Sequence, residues 1–192
     1  MSGRAFPVIL VAPSGTGKTT LAKRLIKKVP NLKYSVSATT RAPRKGEKNG
    51  IDYYFLDEAT FMKWIKEGKF CEWAKVYENY YGTPKEPFLR YLNEGYKVLM
   101  DLDIQGAKSI KELHPEGIAI FILPPSSKDL KNRLIKREKD SQKIKERLKH
   151  MDEELSHCKE FDYIVINKTI DETVRKLKAI IEAEECKVKN ER

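Results

Sequence analysis

A chain of 192 residues with 40% hydrophobic and 34% charged content is long enough to bury one core and contains no apolar run of membrane-spanning length. No secretory leader is read at its start, and three scattered cysteines (Cys71, Cys158, Cys186) without a Cys-x-x-Cys pair argue against a disulfide framework and fit a reducing cytoplasm. The histidines His114, His150 and His157 do not space like zinc ligands, and the net charge of +10 is carried by lysines mixed with acids on every helical pattern, which marks solvated faces rather than a nucleic-acid or membrane surface.

In chain order the first element is the apolar run Phe6–Val11, read as a strand. Ala12-Pro13-Ser14-Gly15-Thr16-Gly17-Lys18-Thr19-Thr20 follows, and Leu21-Ala22-Lys23-Arg24-Leu25-Ile26 continues as a helix to about Lys28. Strand, glycine loop, helix is the context in which Gly-Lys-Thr cradles phosphates. Gly15 and Gly17 let the backbone turn several N–H groups into one concavity, and the helix start adds its positive dipole end. Lys18 reaches the outer phosphates, and the Thr19 hydroxyl suits Mg²⁺. Ala12 stands where the usual pattern has glycine. The bland alternative is a chance turn opening an ordinary helix.

Tyr34-Ser35-Val36 is short and strand-like; Tyr96–Met100, Ile118–Leu123 and Tyr163–Ile166 are apolar runs bounded by turn signals. Helices are expected near Asp57–Glu67, Pro87–Asn93, Ile104–Leu113 and Lys128–Lys136. Ile144, Leu148, Met151 and Leu155 form one apolar helical stripe, and Ile170, Val174, Leu177 and Ile181 another. Ser126 with Asp129, and Thr169 with Glu172, read as capping boxes. Strands alternating with helices predict an α/β fold with a parallel sheet covered on both faces. The segment 34–93 breaks that rhythm. Ser37–Tyr54 has no helical stripe, and Phe70–Thr83 holds five aromatics and reads as short strands. It is expected to be an insertion carrying a second substrate's site. Within it, Arg41 and Arg44 lie three apart beside small hydroxyl residues, a pattern suited to a phosphate dianion.

With these residues in register, the chain resembles the guanylate kinase family. The matching pieces are 13–20, Ser35–Arg44, Gly46-Glu47, Gly50–Tyr53, Phe70–Ala74, Asn79–Thr83, Asp101–Gly106, Arg133 with Arg137, and Phe161-Asp162. The resemblance implies a P-loop NTPase core (1–33, 94–127, 160–192), a GMP-binding insertion (about 34–93) and a helical lid (about 128–159). It implies ATP-dependent phosphorylation of GMP, and of dGMP, to GDP. Ser37, Arg41, Arg44, Tyr53 and Tyr81 would hold the GMP phosphate, and Glu72, Thr83 and Asp103 would read guanine. Thr83 replaces a more usual serine and keeps its hydroxyl. Guanine offers N–H donors to a carboxylate that adenine lacks, and a buried polar readout of this kind discriminates by roughly 10⁴–10⁵.

ATP would lie on residues 12–20, with Asn167 near the adenine; Asp101, at the end of its strand, would hold Mg²⁺ through water. Arg133, Arg137 and Arg147 would close over the moving phosphoryl group together with Lys18, Arg41 and Arg44 as the catalytic set. In the lid stretch Glu138–Lys143 the family's usual glycine is missing, and Gln142 and Lys143 stand in place of acids. Asn167-Lys168-Thr169-Ile170-Asp171 is not the guanine motif of GTPases, because the aspartate comes one residue late. Two rival readings are a noncatalytic kinase-like scaffold module and a P-loop regulator that hydrolyses nucleotide. The intact Gly17-Lys18-Thr19 speaks against the first and the misspaced aspartate against the second. Monomer and homodimer both stay open.

Overall fold

The structure is a computed structural model and describes residues 4–13, 16–76, 78–126, 135 and 155–188. Its first sheet contains β1 (Pro7–Val11), β2 (Leu32–Tyr34), β7 (Lys97–Leu102), β8 (Ile118–Leu123) and β9 (Tyr163–Ile166), in the order β2-β7-β1-β8-β9. Every pairing in it is parallel. Helices α1 (Lys18–Lys28), α3 (Lys85–Asn93), α4 (Ile104–Leu113) and α5 (Ile170–Glu185) cover it. All five residues of β1 are buried, as a central strand between two helical layers requires.

Alternation along β1 divides the core. Val8 and Leu10 face one layer with Leu21, Leu25, Leu177 and Ile181. Ile9 and Val11 face the other with Phe88, Met100, Ala107, Ile110 and Phe121. The period-four and period-three stripe on α5 is thereby accounted for, and Thr169 caps that helix by accepting from Glu172 N.

The second sheet is built from β3 (Ala38–Thr39), β4 (Tyr54–Phe55), β5 (Phe70–Val76) and β6 (Asn79–Pro84), in the order β4-β3-β6-β5. It has a small aromatic core of its own: Phe61 of α2 (Glu58–Lys66) stacks on Phe70 at 4.6 Å and meets Tyr80 at 5.6 Å. The short strands expected over Phe70–Thr83 are β5 and β6, paired antiparallel. A bulge between Phe70 and Glu72 puts both side chains in the interior. Gly82 permits this, since a Cβ there would stand 2.9 Å from the Phe70 ring and 3.1 Å from the Glu72 carbonyl oxygen.

Three expectations shift. The second strand covers Leu32–Tyr34 rather than Tyr34–Val36, because pairing with β7 runs from Leu32↔Lys97 to Tyr34↔Leu99. Helix α3 begins at Lys85, two residues before Pro87, whose missing N–H falls in the first turn where no intrahelical partner exists. Strand β7 extends through Asp101 and Leu102, which pair with Leu10 and Val11. Helix α3, within the stretch 34–93, packs Phe88 against the first sheet. The expected helix at Lys128–Lys136, apart from Ile135, lies outside the described residues, as do Asp129 of the Ser126 box and the stripe residues Ile144, Leu148 and Met151; Leu155 packs against the core cluster that contains Ile9, Phe88 and Phe121. No helix among the described residues is long and apolar enough to cross a membrane.

Candidate active site

Two groups of polar residues meet above the C-terminal ends of the parallel strands, the usual location of ligand sites in open α/β sheets. The first starts where β1 ends. Ala12 is buried against the core, and among the described non-glycine residues only Asn31 has a positive φ, so alanine sits in this loop without backbone strain. Thr16 is fully buried; its N–H and its hydroxyl both donate to the Pro13 carbonyl, at 3.2 and 2.6 Å. Gly17 precedes α1 at φ +93°, a left-handed conformation that a side chain would strain.

The first turn of α1 carries no acid and has no side-chain cap, whereas Asp57, Asp103 and Thr169 cap α2, α4 and α5. Its free N–H groups and dipole end therefore suit an anion. Thr19 and Thr20 are exposed on that turn. The Lys18 ammonium donates to Asp101 Oδ1 at 2.7 Å and to the Leu102 carbonyl at 2.9 Å. Ser14 and Gly15 lie outside the described residues.

Asn167, at the end of β9, is buried against the same loop. Its Nδ2 donates to the Thr16 carbonyl at 2.8 Å, and its Oδ1 accepts from the Thr173 hydroxyl at 2.9 Å.

The second group surrounds Arg41. One guanidinium nitrogen donates to both carboxylate oxygens of Glu47 at 3.0 Å, and the other donates to the Ala42 carbonyl at 2.6 Å. The guanidinium carbon stands 5.4 Å from the Tyr53 ring and 5.7 Å from the Phe55 ring. Glu47 also accepts from the Arg44 backbone N–H at 2.7 Å, so one carboxylate ties both arginine positions. The Arg44 residue itself is exposed. Tyr81 meets Tyr53 edge-on at 6.2 Å, and Ser37 is buried beside β3. Burial, together with the negative field of Asp101, pushes the Tyr53 phenol well above its ordinary range; Tyr34 is raised by the same two causes. Asp101 therefore lies within electrostatic reach of both groups.

Beyond Arg41 on the small sheet, Glu72 and Thr83 pair across β5 and β6, and the Thr83 hydroxyl donates to Glu72 Oε1 at 2.6 Å. Burial drives the Glu72 carboxyl up to about 7; the Thr83 bond opposes the shift and the charge of Asp103 adds to it. Asp103 caps α4, accepting from Gly106 N at 2.7 Å. A Cβ on Gly106 would stand 2.8 Å from Glu72 Oε2 and 3.2 Å from Asp103 Oδ1. The two carboxylates thus approach over the one helical position that lacks a side chain, and a flat ligand edge with N–H donors suits that spot.

Arg133, Arg137 and Arg147 lie outside the described residues. Sequence reasoning assigns no role to Glu47, Gly106 or Thr173. An acid three residues after Arg44 signals the first; the other two contacts join distant elements and leave no local signal.

The family model described as Guanylate kinase matches residues 4–184. A guanylate kinase of Caldanaerobacter subterraneus subsp. tengcongensis is 50% identical over 182 residues, covering 94% of this chain and 88% of the relative. One from Rickettsia felis is 51% identical over 178 residues, covering 92% and 93%. The crystal structure of guanylate kinase from Anaplasma phagocytophilum superposes with a TM-score of 0.84 at 35% identity, covering 97% of this chain and 89% of that one. A loop that ties Lys18 to Asp101, a carboxylate-braced Arg41 and a near-full-length match together place this chain in the guanylate kinase family.

Proposed function

We propose that this chain transfers the γ-phosphoryl group of ATP to GMP, releasing ADP and GDP, and that it accepts dGMP as well. One observation above the others supports the choice of acceptor. The buried Glu72–Thr83 pair, joined by Asp103 over Gly106, lies on the same small sheet as Tyr81, and the remaining strands of that sheet, β3 and β4, flank Arg41. Guanine N1–H and N2–H₂ meet the Glu72 carboxylate there, with Asp103 beside it; adenine brings no donor to that edge and leaves a buried carboxylate unpaired, at a cost of about 1–3 kcal/mol or more. Nothing in this set requires the ribose 2′-hydroxyl, hence the expectation for dGMP.

Catalysis is positioning and charge neutralisation. The amides of residues 12–20 and Lys18 hold the β- and γ-phosphates. Ser37, Arg41, Arg44, Tyr53 and Tyr81 hold the acceptor phosphate, with Arg41 already oriented by Glu47. An oxygen of the GMP phosphate attacks the γ phosphorus as the bond to the β–γ bridging oxygen breaks and ADP leaves. Arg133, Arg137 and Arg147 steady the equatorial oxygens from the lid. The Thr19 hydroxyl and the Asp101 carboxylate, the latter through water, are hard oxygen donors fit for Mg²⁺, which when bound neutralises β/γ charge. In this reading residues 1–33, 94–127 and 160–192 form the nucleotide core, about 34–93 the GMP-binding insertion and about 128–159 the lid. The reaction belongs to cytoplasmic purine nucleotide metabolism.

The test is a panel of nucleoside monophosphates with ATP and Mg²⁺, read by chromatography of the diphosphates. GMP and dGMP should be converted and AMP, CMP and UMP left alone. Failure to phosphorylate any purine monophosphate would overturn the assignment.

A further inference from the structure

We infer that Asn167 and Thr173 are positioning residues for the phosphate loop: they fix its backbone from the far edge of the sheet. This rests on the reading of residues 12–20 as the ATP site. Thr16 is pinned on three sides. Its N–H and hydroxyl go to Pro13, at the end of β1, and its carbonyl receives Asn167 Nδ2 at 2.8 Å. The orientation of that amide is dictated, since a carbonyl only accepts and the reversed amide would set two oxygens against each other. Oδ1 is then left to the Thr173 hydroxyl at 2.9 Å, which also lies 2.8 Å from the Thr169 carbonyl in the first turn of α5.

Asn167 is anchored by its own main chain as well, its N–H donating to the Leu123 carbonyl of β8 at 2.7 Å. The amide also flanks Gly17, where a Cβ would stand 3.7 Å from Nδ2. Both ends of the Asn167 side chain are thus committed inside the protein, and Asn167, Thr16 and Thr173 are all buried. The chain of bonds runs from β1 through the loop to the end of β9 and into α5. It holds the Thr16–Gly17 peptide at the point where the loop turns into α1, so it sets the direction of the amides that meet the phosphates.

Thr173→Val removes the hydroxyl at constant shape, and Thr173→Ser restores it. Calorimetric dissociation constants for ADP and IDP are measured beside the Michaelis constant for GMP and the melting temperature. In Thr173→Val, ADP and IDP should both weaken by about tenfold, as expected for one unmade buried hydrogen bond. The GMP constant should stay within about twofold, and Thr173→Ser should bind like the parent. Unchanged ADP and IDP binding would overturn the inference. A loss confined to ADP would assign Asn167 to the adenine amino group instead. A matching loss for GMP with a lowered melting temperature would reduce the network to fold support. The parent's own GMP-phosphorylating turnover is the control, because its absence would sink the kinase reading and not this one.

Discussion

Glu72, proposed above to read the acceptor's base, is a burden on the fold. Its carboxyl is raised from 4.5 to about 7, chiefly by burial. Between those pH values the folded chain keeps a proton that the unfolded chain has released. The residue's contribution to stability therefore declines as pH rises and is lowest above 7. Glu72→Gln keeps an oxygen for the Thr83 hydroxyl and removes the charge. At pH 8 it should stabilise the nucleotide-free protein by about 3 kcal/mol, from a shift of this size, measured by urea unfolding. It should also weaken GMP at least tenfold while ADP stays within about twofold; equal losses would take Glu72 out of the base pocket. In the parent protein, GMP affinity should fall as pH drops below about 7, because the protonated carboxyl accepts fewer N–H bonds.

At the scale of elements, α4 brings the two carboxylates together because one of its turns is bare. Glycine inside a helix ordinarily costs about 0.5–1 kcal/mol relative to alanine. Gly106→Ala would recover that amount and push a methyl group to within 2.8 Å of Glu72 Oε2, a distance real Cβ contacts do not tolerate. The contact should win: GMP binding should fall by an order of magnitude or more, with ADP binding unchanged and helix content intact by circular dichroism. A variant that bound GMP normally would show that Glu72 swings clear at no cost.

Elements with strong periodicity are legible in the residues alone. The stripe on α5 and the wholly apolar β1 need only spacing and composition. The ends of β2 and β7 are not legible in that way, because they are set by the partner strand, and Ser35 N–H still bonds Leu99 after β2 has stopped. The proposed phosphate loop is a run of nine consecutive residues, whereas Asn167 reaches Thr16 across 151 positions, and no local pattern announces such a bond.

At the scale of the whole molecule, the described residues form three hydrophobic clusters, two against the large sheet and one within the small sheet. Both tryptophans, Trp64 on α2 and Trp73 on β5, belong to the small sheet's neighbourhood. Removing Phe88 or Phe61, both fully buried, should cost about 3–5 kcal/mol. Their signatures should differ. Phe88→Ala should shift tryptophan fluorescence and far-ultraviolet dichroism together in a denaturant titration, since it loosens the shared core. Phe61→Ala should let the fluorescence transition run ahead of the dichroism and should weaken GMP more than ADP. Coincident curves for Phe61→Ala would show that the small sheet has no separable stability.

Asp101, paired in register with Leu10, holds the Lys18 ammonium and is felt by the phenols of Tyr53 and Tyr34. In the proposed reading, one carboxylate has a stake in both halves of the reaction, and whatever drains its negative potential for one tenant changes the rent for the other. Thermodynamic reciprocity then fixes the terms: the factor by which donor occupancy alters acceptor affinity must equal the factor in the opposite direction.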